Sequence, residues 1–333
     1  MKACILHHYD LIDHKPLRFE DVVPPTPLPN EVLVEIRACG LCRTDLHVIE
    51  GDLLAKPLPH IPGHQIVGTI KEIGASVTQF HIGQRVGIAW LRSTCGHCKF
   101  CLNHQENLCD FATFNGWSHP GGFAEFITAP AEFTYPLPDH MSDEQVAPLL
   151  CAGIIGFRSL RLSGIKNWQG TRVGLYGFGS AAHIAIQLLR SWGAEVYVIS
   201  RTQKHLNLAK ELGAFWVGTK EVPPKKLDTA IIFAPAGDLV YQALIASDKG
   251  ASVVCAGIHM SPIPSLPYDI LYGERLIRSV TNNTRQDSLD FLQEAQRCGI
   301  TTNVNLFPLH EANEALYALK YDGFQGSGVL IVK

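Results

Sequence analysis

Between residues 40 and 47 the chain reads GLCRTDLH, which sets a soft metal ligand (Cys42), a cation (Arg43), a hydroxyl (Thr44), a carboxylate (Asp45) and an imidazole (His47) side by side. The set suits a reaction at a metal, and it equally suits a short polar turn around a buried cysteine. A second cluster carries a stronger signal. Cys95, Cys98, Cys101 and Cys109 follow C-x2-C-x2-C-x7-C, a spacing that lets short loops wrap four thiolates around a tetrahedral Zn²⁺ with no open position. An iron–sulfur site or four unliganded thiols are the alternatives. A third stretch, GLYGFGSAAH, places Gly177, Gly179 and Ala182 at G-x-G-x-x-A spacing after an apolar strand and before a helix that opens near Ser180. This is the context in which a glycine turn brings a dinucleotide pyrophosphate against a helix N-terminus.

The end of the next strand decides between the two nicotinamide cofactors. An NAD-binding domain usually places a carboxylate there for the ribose hydroxyls, whereas this chain reads Ser200, Arg201, Thr202. Without that carboxylate a 2′-phosphate meets no repulsion, and Arg201 and Ser200, assisted by Lys204, supply a cation and a hydroxyl for it. NADP(H) is therefore favoured over NAD(H).

These residues need elements to hold them. In the N-terminal third Val32, Val34, Ile36 and Ala38 alternate with Leu33, Glu35 and Arg37, and short runs follow at 66–73 and 85–90, punctuated by glycines. That pattern predicts a compact β-rich domain with GLCRTDLH leaving the end of a strand. From Ser142, spaced with Gln145 as a capping box, a helix is predicted to carry Cys151. Strands at 172–176, 195–199 and 229–234 then alternate with helices, the signature of a doubly wound parallel sheet. Mixed structure returns beyond about residue 280, with helices near 288–297 and 311–319 and a closing strand at 328–332.

Composition excludes several classes of partner. The 333 residues are 46% hydrophobic and 18% charged with a formal charge of −3, which is ordinary for a globular chain and gives no basic patch for nucleic acid or an anionic membrane. The N-terminus MKACILHHYD lacks the charged and apolar segments of a secretion signal, and no apolar run reaches membrane-spanning length. A cytoplasmic protein acting on a small molecule is the expectation, with clustered cysteines read as metal ligands.

Taken in order, GLCRTDLH, HIPGHQIVG around His64, the four-cysteine loop, PLLCAGIIGF around Cys151 and GFGSAAH make the chain resemble a zinc-dependent alcohol dehydrogenase of the medium-chain dehydrogenase/reductase superfamily. The resemblance spans essentially the whole chain. It implies an α/β protein with a GroES-like β-rich catalytic domain from residues 1–152 and 284–333, and a Rossmann domain from 153–283. It implies two zinc ions per subunit, a structural one on the four-cysteine loop and a catalytic one held by Cys42, His64 and Cys151. Asp45 is implied to orient His64, Thr44 and His47 to relay a proton, Arg43 to contact the cofactor pyrophosphate, and Trp90 to form a wall of the substrate pocket. Gly177, Gly179, Ser180 and Ala182 are implied in the cofactor turn. The implied substrate is a small alcohol or aldehyde, and the lack of long inserts points to a homotetramer.

The chain departs from the family in three places. Gln65 stands where relatives usually carry glutamate, Ser327 replaces the arginine of a C-terminal GR-V-L pattern, and Ile155 replaces a threonine after CAGI. A polyol or formaldehyde-type zinc dehydrogenase is the alternative enzyme, and a non-catalytic zinc- and nucleotide-binding redox sensor the alternative of another class. Zinc-independent quinone reductases share the fold but lack the Cys42, His64 and Cys151 set.

Overall fold

A computed structural model describes every residue of the chain except Lys56 and Lys333. The chain divides into two compact units, one of Met1–Cys151 with Asn282–Leu292 and Thr302–Lys333, the other of Ala152–Thr281 with Gln293–Thr301. The last turns of the helix Arg285–Cys298 thus group with the second unit.

The first unit is organised on the strand Glu31–Leu41, which pairs antiparallel with Gln65–Ile73, Ser327–Ile331 and Phe126–Pro130. Because it is hydrogen-bonded on both sides it is buried almost end to end, and Leu33, which alternation places outward, is 6% exposed. Arg85–Ile88 and Thr134–Pro136 extend the sheet on one side and Val304–Pro308 on the other. Val32, Val34, Ile36, Ile66, Ile70, Val86, Ile88 and Phe123 form its core. Burial of these branched side chains contributes about 1.5–3 kcal/mol each, and this anchors the loops that leave the strand ends.

The second unit is a six-stranded parallel sheet in the order Trp216–Gly218, Glu195–Ile199, Arg172–Tyr176, Leu227–Ile232, Ser247–Cys255, Leu276–Ser279. The chain starts in the middle at Arg172–Tyr176, winds outward one way and then the other, and so makes a switch point beside its first strand. Helices Ser180–Ser191 and Gln203–Glu211 supply the crossovers. The near-continuous apolar character of these strands follows from burial on both faces.

One predicted element is corrected. The Ser142 hydroxyl makes no capping bond; Gln145 Oε1 instead accepts the backbone N–H and the hydroxyl of Thr302 at 2.9 Å each. Cys151 is also not inside a helix. The helix Asp143–Val146 tightens into the 3-10 turn Ala147–Leu150, and Cys151, at φ −135° and ψ −70°, interrupts the chain before Ala152–Leu162 begins. Among the described residues no single helix is long and apolar enough to cross a membrane.

Candidate active site and cofactor turn

Within the first unit three residues distant in sequence converge. Cys42 Sγ lies 3.3 Å from His64 Nε2 and 4.0 Å from Cys151 Sγ. Tetrahedral zinc with its usual bond lengths separates ligand atoms by roughly 3.5–3.8 Å, so the three donors already stand at the spacing one ion requires. Each is placed by a specific local device. Cys42 ends the long strand and caps the helix Arg43–Ile49, accepting the Thr44 N–H at 3.4 Å. His64 follows Gly63 at φ +98°, where a Cβ would sit 2.4 Å from the Phe123 ring, so only glycine both fits and turns the chain there. Cys151 is presented by the helix interruption.

Asp45 closes the arrangement twice over. Its Oδ2 accepts the Cys42 backbone N–H at 2.8 Å, completing the helix cap, and its Oδ1 bonds His64 Nδ1 at 2.9 Å. The capping role and the histidine-orienting role are thus one side chain's work. With Nδ1–H donating to the carboxylate, His64 keeps Nε2 as the donor atom directed at the thiols. The three donors perturb one another strongly. Burial disfavours a charged imidazole, yet Asp45 and Cys42 hold His64 well above its usual range. Burial raises the Asp45 carboxyl. The Cys42 thiol is held well below its usual range by its hydrogen bond with Cys151 and by His64, and Cys151 is pushed up by that same bond and by burial. Two thiols and an imidazole whose ligand atoms all lie within 4.8 Å of one another are a donor set that could hold a metal ion, and it is the set an open Cys₂His zinc site uses.

Gln65 adds an independent sign of a missing partner. It is wholly buried, and neither its Oε1 nor its Nε2 finds a hydrogen bond within the protein. A buried amide left unpaired costs about 1–3 kcal/mol. The side chain lies across Gly40, where a Cβ would come within 3.0 Å of Gln65 Oε1, and Gly40 is two residues before Cys42.

The proton-relay candidates lie on the helix that starts at Cys42. Thr44 is buried at its first turn and His47 follows three residues on, on the same face. His47 Nδ1 is anchored on Asp52 Oδ2 at 2.8 Å, and its side chain is 20% exposed. Arg43 points to the exposed side and donates from Nη2 to the Lys320 carbonyl at 3.2 Å.

Trp90 stands with its ring 5.9 Å from that of His64. Two aromatic residues not singled out in the sequence join it: Phe114 at 4.7 Å and Trp117 at 6.0 Å, themselves 5.3 Å apart. The loop is braced from behind by Asn115, whose N–H donates to the Trp90 carbonyl at 2.9 Å and whose Nδ2 donates to the Ala89 carbonyl at 2.8 Å. The buried Arg92 donates to Asn115 Oδ1 and to Glu31. The signal that would have found the pair is the FNGW run itself, two aromatics flanking a turn just after the four-cysteine loop.

That loop forms a separate cluster. The sulfurs of Cys95, Cys98, Cys101 and Cys109 all lie within 4.8 Å of one another. Backbone N–H groups of Cys98 and Cys95 point at the sulfurs of Cys95 and Cys109, at 3.3 and 3.4 Å. A backbone hydrogen bond at His97 brings the Cys95 thiol down to about 6, while burial pushes Cys109 up to about 11.

In the second unit the glycine turn has the predicted form. Gly177 has φ +89°, and a Cβ there would meet Ala234 at 2.9 Å; around Gly179 the space is open. Ser180 begins the helix and Ala182 is buried in its packing. The first turn of that helix therefore stands beside the open space around Gly179. At the neighbouring strand end Ser200 is buried with its hydroxyl 3.4 Å from His205 Nδ1, Arg201 is exposed and Lys204 half-buried.

Comparison with known proteins matches the same regions. Residues 28–139 fit the alcohol dehydrogenase GroES-like domain and residues 182–297 the zinc-binding dehydrogenase domain. A probable alcohol dehydrogenase AdhA of Mycobacterium tuberculosis is 46% identical over 96% of this chain and 94% of its own length. An alcohol dehydrogenase of Geobacillus stearothermophilus is 36% identical over the full length of both. Among solved structures, the alcohol dehydrogenase of the archaeon Aeropyrum pernix superposes with a TM-score of 0.89 at 27% identity, covering all of both chains. Fold, donor set and relatives agree, and the chain belongs to the zinc-dependent alcohol dehydrogenases of the medium-chain dehydrogenase/reductase superfamily.

Proposed function

We propose that this alcohol dehydrogenase interconverts primary or secondary alcohols and their carbonyls with NADP(H) as the preferred cofactor, using one zinc at Cys42, His64 and Cys151 and a second at the four-cysteine loop. The observation that carries the reading is the convergence of Cys42, His64 and Cys151 with Asp45 fixed behind the histidine. Zinc, when bound, supplies Lewis acidity that stabilises negative charge on the reacting oxygen. The chain's own residues do the rest. Asp45 holds His64 in one tautomer, Thr44 accepts the substrate hydroxyl proton as it gives its own toward the cofactor ribose, and His47, held by Asp52 at the solvent boundary, takes the proton from there and releases it to solvent. Arg43 and the glycine turn hold the pyrophosphate, and the hydride passes between the substrate carbon and the nicotinamide.

The rings of Trp90, Phe114 and Trp117 support a substrate with an extended apolar or aromatic tail, because flat faces reward stacking that short polyols cannot supply. Ten cysteines without a disulfide among them support a reducing, cytoplasmic setting. Leu276, exposed on the outermost strand of the parallel sheet, with Tyr268 and Tyr272 exposed beside it in sequence, supports association into a homo-oligomer, for which a tetramer is the favoured size.

The cofactor preference is tested by comparing kcat/KM for NADPH and NADH in the wild type and in Arg201→Ala. Loss of one charge-assisted phosphate contact is expected to lower kcat/KM for NADPH by about 10- to 100-fold and leave NADH within about twofold. A wild type that prefers NADH, or an Arg201→Ala change equal for both cofactors, would overturn the assignment.

Gln65 gives a second measurement. Zn²⁺, two thiolates and a neutral imidazole sum to zero charge, and a carboxylate at position 65 would add one negative charge nearby. Gln65→Glu is expected to raise the apparent pKa in the kcat/KM pH profile for alcohol oxidation, since negative charge opposes loss of the substrate proton. An unchanged or lowered pKa in the variant would refute it.

A further inference from the structure

The helix Arg43–Ile49 is tied at both ends to one residue of the C-terminal helix Ala312–Lys320. At its start, Arg43 Nη2 donates to the Lys320 carbonyl at 3.2 Å, one of the last-turn carbonyls that a helix leaves without an internal partner. At its end, Glu50 Oε1 accepts from Lys320 Nζ at 3.0 Å. Asp13 accepts the same ammonium at 2.8 Å and the Tyr321 hydroxyl at 2.6 Å. The ion pairs are not loose surface contacts: the Lys320 and Glu50 side chains are 22% and 16% exposed. Hydrogen bonds from Lys320 and Tyr321 hold the Asp13 carboxyl down at about 2.

This arrangement answers a problem that Arg43 poses. A cation at the first position of a helix faces the positive end of that helix's own dipole, and a free arginine side chain samples many rotamers. The negative end of the C-terminal helix receives one of its N–H groups, and the guanidinium has further donors to offer an anion. The ammonium of Lys320 also occupies Asp13 and Glu50, the two carboxylates gathered at the same end of the C-terminal helix.

We propose that Lys320, locked by Asp13 and Glu50, is a positioning residue that presents Arg43 to the cofactor's pyrophosphate and keeps two carboxylates from capturing it. The proposal rests on the reading of Arg43 as a pyrophosphate contact, and the test separates the two. NADPH affinity is measured by titration calorimetry on the zinc-loaded enzyme for Lys320→Met, Lys320→Arg, Arg43→Ala, Arg43→Ala with Lys320→Met, and Asp13→Asn with Lys320→Met. Lys320→Met is expected to weaken binding about tenfold, Lys320→Arg to restore most of it, and Asp13→Asn to recover part of the loss by removing a competing carboxylate. In the Arg43→Ala background Lys320→Met is expected to add less than about twofold. An equal loss with and without Arg43, or no loss in Lys320→Met while Arg43→Ala binds weakly, would overturn the positioning role alone. Unchanged affinity in Arg43→Ala would instead remove the pyrophosphate reading and the proposal with it.

Discussion

Cys42→Ser is expected to lower kcat/KM for alcohol oxidation by about a thousandfold or more while the bound zinc falls from two per subunit to one. The variant is informative because serine keeps the other duty of the position. A serine caps a helix as well as the native residue does, so the helix Arg43–Ile49, with Asp45 still bonded to the residue-42 N–H, is expected to persist. What is lost is the thiolate, and a neutral hydroxyl is a far poorer zinc ligand. With the site unable to hold its metal, the largest electrostatic contribution to the reaction goes too. Metal analysis and steady-state kinetics on the same preparation decide the matter. Retention of both metals with near-native turnover would show that Cys42 serves only the cap.

The second large effect concerns stability. The segment from Cys95 to Cys109 has little core of its own: its short helix Lys99–Leu102 buries none of its residues, and Leu102 and the adjacent Phe111 are 68% and 71% exposed. Its fold must come from cross-linking, and its four sulfurs are unpaired thiols. A structural zinc supplies about 10–16 kcal/mol of binding free energy in small peptides, far more than the contacts visible here. Cys98→Ser is therefore expected to release one zinc, to lower Tm by about 10 °C or more, and to open the loop to proteolysis. Initial rates measured at low temperature should stay close to the wild type, because the residues around Cys42 are untouched. A Tm within about 2 °C of wild type would show that the loop is held by something other than metal.

How much of this was readable from residues alone depends on distance along the chain. The four-cysteine loop is legible because its ligands sit within one short segment, and the parallel sheet because period and glycine placement repeat from strand to strand. Cys42, His64 and Cys151 have no such local pattern; Cys42 and Cys151 are 109 residues apart, and family resemblance rather than spacing brought them together. Gln145 shows the opposite failure. A sound local signature lost to a partner 157 residues away, since a side chain that can satisfy Thr302 does more there than at an exposed cap. Phe114 and Trp117 escaped notice because loop aromatics carry no periodicity, and the unpaired amide of Gln65 is visible only once burial is known.

The long strand at the heart of the first unit has a consequence for how the two cysteine clusters assemble. Its residues Ala38–Leu41, which lead into Cys42, pair with the strand Ser327–Ile331, which lies far along the chain. The sheet edge that supports Cys42 therefore closes through a long-range pairing, whereas the four cysteines of the loop all lie between residues 95 and 109. The four-cysteine cluster thus needs only local chain to assemble, whereas the geometry at Cys42 depends on a strand from the far end of the sequence.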